Sequence, residues 1–92
     1  MATLSEDEIT KALAGLPGWS LGEGEIEKEY KFGNFVEALA FVNQVGERAE
    51  AANHHPNLDI RYNRVRVALS THSEGGITAK DTALAGEIET LA

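Results

Sequence analysis

The chain has no cysteine, so neither a disulfide framework nor a thiolate metal site can supply its stability or its chemistry. That absence fits a reducing, cytoplasmic setting, which is the expected location. Basic residues are scarce, with eight Lys and Arg against fifteen Asp and Glu and a formal net charge of −7. Such a surface repels phosphate backbones over most of its area, so no nucleic-acid partner is expected. Arg61, Arg64 and Arg66 form a small basic cluster that reads as a solvated hairpin face, because a phosphate-tracking groove needs more cations than this. No stretch approaches the roughly 20 apolar residues that cross a bilayer. The acidic start Met1-Ala2-Thr3-Leu4-Ser5-Glu6-Asp7 lacks the basic and apolar regions of a signal peptide, so no membrane partner is expected. Gly22, Gly24, Gly75 and Gly76 lie in turns without the spacing of a phosphate loop. Ser70, Thr71 and Ser73 flank His72, but there is no G-x-S-x-G turn to expose a nucleophile.

What remains is one domain spanning residues 1–92, with no room for a second core. A chain of this size buries a modest share of its surface, so self-association is expected. Ser5-Glu6-Asp7-Glu8 reads as a capping box, followed by Ile9, Ala12, Leu13 and Leu16 at helical spacing. Gly15 and Pro17-Gly18 end that helix. Trp19-Ser20-Leu21 and the alternating residues 26–32 predict two strands around a glycine turn, with Lys28 breaking the apolar side. Asn34 caps the longest helix, residues 35 to about 53. Its stripe is Phe35, Leu39, Val42, Gly46 and Ala49, widened by Ala38, Phe41 and Val45. Pro56 drives His55 out of the helical region, which stops the helix. Leu58, Ile60 and Tyr62, then Val65, Val67, Leu69 and Thr71, predict a second hairpin with Tyr62 as a core strand residue. A two-residue turn at Asn63-Arg64 pairs Tyr62 with Val65, Ile60 with Val67 and Leu58 with Leu69, and its continuation sets His72 opposite His55. Thr78-Ala79-Lys80-Asp81 caps the last helix, with Leu84, Ile88 and Leu91 as its apolar stripe. The expected fold is α+β: a four-stranded antiparallel sheet with three helices on one face, in the order α-β-β-α-β-β-α.

All three histidines fall within residues 50–81. Glu50 precedes His54 by four residues, one helical turn on the same face, where a carboxylate can orient the imidazole and favour its cation. The carbonyl end of the long helix acts in the same sense. Imidazole, with an ordinary pKa of about 6.5, exchanges protons at physiological pH. His54, His55 and His72 with Thr71 and Tyr62 therefore suggest a shallow acid–base site for a small heterocycle. A metal site is the competing reading, but adjacent histidines point apart and no second carboxylate stands at a ligand spacing. Asp81 reads first as a helix cap.

Glu50, three residues, His54-His55-Pro56, five residues, Tyr62, nine residues, His72, eight residues, Asp81: this pattern resembles the signature of the pterin-4a-carbinolamine dehydratases. Tyr62-Asn63-Arg64-Val65 and Leu69-Ser70-Thr71-His72 look like that family too, and the likeness covers nearly the whole chain in element order. The resemblance implies dehydration of a 4a-hydroxytetrahydropterin to a quinonoid dihydropterin, recycling pterin after aromatic amino-acid hydroxylation. It implies a homodimer or homotetramer and no metal or other cofactor. It places His54, His55 and His72 at the pterin, with Glu50, Pro56 and Thr71 beside them. His54 and His72 are then the acids for the leaving hydroxyl, His55 binds the ring, and Glu50 supports His54 or accepts a proton. Asn53 and Leu58 depart from the family, where an acidic residue and a tryptophan are common, so contacts to the ring can differ. The alternative is a dehydratase-like binding module that pairs with a partner through the long helix or an exposed strand edge, with Phe41 and Val45 as its test positions.

Overall fold

A computed structural model describes residues 3–92; Met1 and Ala2, at the head of the acidic N-terminus, lie outside the described residues. Helix α1 (Glu6–Ala14) starts on a reciprocal cap: the Ser5 hydroxyl accepts the Glu8 amide at 3.2 Å, and Glu8 accepts the Ser5 amide at 2.8 Å. Strands β1 (Ser20–Leu21) and β2 (Ile26–Lys31) follow, then helix α2 (Phe35–Ala52), strands β3 (Asn57–Arg61) and β4 (Arg64–Leu69), a 3-10 turn (His72–Glu74) and helix α3 (Ala79–Glu89). Asn34 caps α2 by accepting the Glu37 amide at 2.9 Å, and Thr78 caps α3 together with Asp81. The sheet is antiparallel in the order β1-β2-β4-β3. This is the α+β fold expected.

Alternation along the strands sorts the two faces of the sheet. Ile26, Tyr30, Val65, Val67 and Leu69 join Ala38, Phe41 and Val45 of α2 and Leu84 and Ile88 of α3 in one core, which Ile9 of α1 completes. The opposite face carries Glu29, Arg66 and Asp59 side by side, with Lys31, Arg64 and Arg61 in the next row. The helices therefore share one face. The α2 contact differs from the expected stripe. Phe35 and Leu39 are 43% and 37% exposed, and the buried positions are Ala38, Phe41, Val45 and Ala49. Phe41 explains the rotation, since its ring packs on Tyr30 and Phe32 with centroids 4.8 and 5.0 Å apart.

The second hairpin corrects the expected register by two residues. Leu58 pairs with Val67, Ile60 with Val65 and Arg61 with Arg64, so the turn is Tyr62-Asn63. Asn63 is held by Phe32: the Phe32 amide donates to the Asn63 carbonyl at 2.8 Å, and Asn63 Nδ2 donates to the Phe32 carbonyl at 2.9 Å. A shift of two residues leaves every side chain on its expected face, which is why alternation alone did not detect it. Tyr62 is not a core strand residue. It is 66% exposed at the turn with φ of 51°.

Lys28 also finds its explanation. Its ammonium donates to the Pro17 carbonyl at 2.6 Å and to both oxygens of Glu89 at 2.9 and 3.0 Å. Glu89 further accepts Tyr30 Oη at 2.6 Å and Trp19 Nε1 at 3.2 Å, so the end of α3 is tied to β2 and to the α1–β1 loop. Burial alone would raise the Glu89 pKa, but the bonds from Tyr30, Lys28 and Trp19 together hold it below its ordinary value. Burial, followed by the bond to Glu89 and its charge, pushes the Tyr30 phenol well above its ordinary value.

Candidate active site

Helix α2 ends on Asn53, which turns left-handed at φ of 50°. The Asn53 amide then reaches the Glu50 carbonyl, and the His54 amide reaches the Ala49 carbonyl, both at 3.1 Å. These two bonds close the orphan carbonyls of the last turn and reverse the chain. Asparagine tolerates this conformation better than most residues, which gives Asn53 a local reason to stand where an acidic residue was expected.

The reversal decides which partner each histidine meets. Glu50 was expected to support His54, but its carboxylate pairs instead with His55 Nε2, on an exposed surface. The helical turn that would have aligned Glu50 with His54 is already unwound at Asn53. His54 turns inward, its side chain 11% exposed, and its Nε2 lies 2.5 Å from Oδ1 of Asp81.

Asp81 is fully buried and stands in the first turn of α3, where helix amides favour an anion. Its other oxygen, Oδ2, accepts the Thr78 amide at 2.9 Å and the Thr71 hydroxyl at 2.8 Å. An ionised carboxylate only accepts, so His54 Nε2 is the donor and carries the proton. No described residue bonds His54 Nδ1, leaving that nitrogen available to a ligand. Thr71 has spent its proton on Asp81, so the Thr78 hydroxyl donates the 2.8 Å bond between the two threonines. One carboxylate thus caps α3, fixes the tautomer of His54 and holds Thr71. The sequence assigns Asp81 the cap and a place in the family pattern, but not the bond to His54. The missed signal was its spare lone pairs: capping uses one site of a group that offers about four.

His72 is not opposite His55. With the corrected register, β4 closes at Leu69, Thr71 bridges to Gly76, and His72 opens the 3-10 turn. It is exposed and lies 3.4 Å from the Ser70 hydroxyl. Its link to His54 runs through the chain: His72 follows Thr71, which shares Asp81 with His54. His72 also lines a groove of about 280 Å³ between the β1–β2 turn, Glu23 to Glu25, and the loop carrying Ser70, Gly75 and Gly76. Pro56 is half-buried between His55 and the start of β3. Among the described residues, no three His, Asp or Glu side chains are grouped as metal ligands, and no helix is long and apolar enough to cross a membrane.

The molecule is thus an α+β protein with three helices on one face of a four-stranded antiparallel sheet and with His54 and His55 adjacent just beyond its longest helix. The chain belongs to the pterin 4 alpha carbinolamine dehydratase family, whose model matches residues 2–91. A relative from Acidobacterium capsulatum, whose name places it among the pterin-4-alpha-carbinolamine dehydratases, is 54% identical over 99% of each chain. One from Chloroflexus aggregans, named in the same way, is 55% identical over 99% of this chain and 98% of its own. A solved structure from Brucella melitensis, described as a transcriptional coactivator/pterin dehydratase, superposes with a TM-score of 0.94 at 39% identity over 98% of both chains. A pterin dehydratase-like protein described as a RuBisCO assembly factor in the alpha-carboxysome shares the fold, with a TM-score of 0.70 and 22% identity over 82% of this chain and 89% of its own.

Proposed function

We propose that the protein dehydrates a 4a-hydroxytetrahydropterin to a quinonoid dihydropterin by histidine acid–base catalysis, in recycling tetrahydropterin after aromatic amino-acid hydroxylation. One proton goes to the C4a hydroxyl, which leaves as water. A second proton leaves N5, and the C4a–N5 double bond forms. No electrons are gained or lost, so general acids and bases are sufficient for the reaction. His54 and His72 act on the departing hydroxyl: His54 takes up a proton at its free Nδ1 and passes it to the hydroxyl, while Nε2 keeps its own proton toward Asp81. His55, Pro56 and Thr71 complete the ring's surroundings, and Glu50 orients His55. The observation that carries this reading is the buried Asp81 that holds His54 and Thr71 on its two oxygens, one residue from His72. The test is the absorbance decay of 4a-hydroxytetrahydropterin with and without the purified protein at neutral pH. A decay no faster than in buffer would overturn it.

A second reading, a protein-binding module, draws on the apolar residues at the start of α2. Phe35, Val36 and Leu39 are 43%, 75% and 37% exposed. Phe41 and Val45, the test positions expected for such a module, are core residues and cannot report on it. The same exposed residues are the surface through which we propose that copies of the chain self-associate. Val36→Asp distinguishes the readings: it leaves dehydration intact if the enzyme reading holds, and abolishes partner capture if the module reading holds.

A further inference from the structure

We propose that the open face of the sheet carries a second binding site, for a small zwitterion of the α-amino acid class. Arg61 and Arg64 hold its carboxylate, and Glu29 and Asp59 hold its ammonium. The site is separate from the one assigned to dehydration, and the inference does not rest on that reading. Its residues lie across the sheet from the helices, at the end of β4 opposite Thr71 and His72. A groove of about 250 Å³ opens there, lined by Glu29, Asp59, Arg61, Arg64 and Arg66. That volume falls just below the range of drug-sized ligands and suits a smaller molecule.

Strand pairing sets the arrangement. Glu29, Arg66 and Asp59 form one row across β2, β4 and β3, and Arg64 and Arg61 stand opposite each other in the next. Arg66 is committed to Glu25 and Glu27 at 2.7 to 3.2 Å, which draws its guanidinium toward the row of Glu27 and Ala68. The other two guanidiniums are barely used. Arg61 donates from Nε to Asp59 at 3.3 Å, and Arg64 Nη1 lies 3.9 Å from Glu29, beyond hydrogen-bond reach. Like charges directly opposite in a sheet are unfavourable, so an anion between Arg61 and Arg64 relieves the pair. A carboxylate suits that place, because it takes parallel bonds from a guanidinium fork. A plain anion fits poorly: it would draw the arginines away and leave Glu29 and Asp59 unpaired beside its own charge. An ammonium next to the ligand's carboxylate gives all four side chains a partner in exchange. Both existing pairs are exposed and contribute little, so the exchange loses little. In an α-amino acid the two charged groups share one carbon, matching acids and guanidiniums in adjacent rows about 7 Å apart along the strands.

The experiment is an NMR titration of the isotope-labelled full chain at neutral pH and constant ionic strength. The probes are L-alanine, N-acetyl-L-alanine, which lacks the cation, and L-alaninamide, which lacks the anion. L-alanine should give saturable shifts of the Arg61 and Arg64 N–H signals with a Kd of about 10 mM or tighter. Each blocked form should bind at least about tenfold more weakly, because it leaves one pair of side chains unmatched. Glu29→Gln and Arg64→Lys, both at exposed positions, should each weaken L-alanine at least about fivefold, the lysine because it keeps the charge and loses the fork. No saturation by about 100 mM L-alanine overturns the proposal. Either blocked form binding within that tenfold, or a smaller effect of either variant, overturns it too. Equal binding of N-acetyl-L-alanine would make this a site for plain anions.

Discussion

His54 Nε2 sits 2.5 Å from Asp81 Oδ1, joining the residue just beyond α2 to the first turn of α3. That contact fixes which imidazole nitrogen is free, and with it the direction from which His54 can serve a substrate. Asp81→Asn removes the anion that forces the proton onto Nε2, since an amide can equally donate to the ring. The expected result is a fall in kcat/KM of roughly 10²–10⁴-fold, by analogy with other oriented imidazoles. Stability falls as well, by about 2–4 kcal/mol, because Thr71 and the Thr78 amide lose their shared acceptor. Steady-state kinetics beside urea unfolding separates the two effects.

Glu50 and His55 form an exposed pair, their side chains 78% and 58% accessible, so their contact contributes little to stability. Glu50→Gln leaves the unfolding midpoint nearly unchanged and raises KM by roughly two- to fivefold, with a smaller change in kcat. A kcat loss as large as that of Asp81→Asn would instead make Glu50 a proton acceptor in the reaction.

The Glu89 carboxylate gives the fold a defined acid sensitivity. Its pKa is lowered on folding, so the native state binds its proton less readily than the unfolded chain. The stabilisation is therefore present above the unfolded carboxylate value of about 4.3 and is lost as pH falls through the folded value. Urea unfolding of wild type and Glu89→Gln across pH 3–7 should show a difference of about 1–3 kcal/mol near neutrality that shrinks below about pH 4. A difference independent of pH would contradict this account of the network.

Tyr62 holds a left-handed conformation that bulky side chains adopt at a cost. Tyr62→Gly relieves it and should stabilise the protein by about 1 kcal/mol, measured by thermal or urea unfolding, because the exposed ring has little packing to lose. Destabilisation would mean that the ring is covered in solution, as by a second copy.

The helices were legible because each carries its own start signal in Ser5, Asn34 and Thr78, and the strands because their faces alternate. The buried face of α2 was legible only to within one position, since Phe35 and Leu39 fit the periodicity as well as Ala38 and Phe41. Register was not legible, because a slip of two residues preserves every face and the contact that decides it, Asn63 with Phe32, is distant in sequence. The histidine partners were misassigned for a local reason. Helical spacing aligns Glu50 with His54 only while the helix persists, and Asn53 ends it. Asp81 was legible as a cap and as part of the family pattern, but its bond to His54 is visible only once α2 and α3 are packed together.

The central claim is that His54 and His72 act on one substrate although they occupy different elements. It is tested most directly by the single-turnover dehydration rate of purified His54→Ala, His72→Ala and the wild type at equal folded concentration. The account predicts a fast wild-type decay that slows by roughly 10²-fold or more in each variant, with the fold retained. Wild-type rates in both variants, or a wild type no faster than buffer, would contradict it.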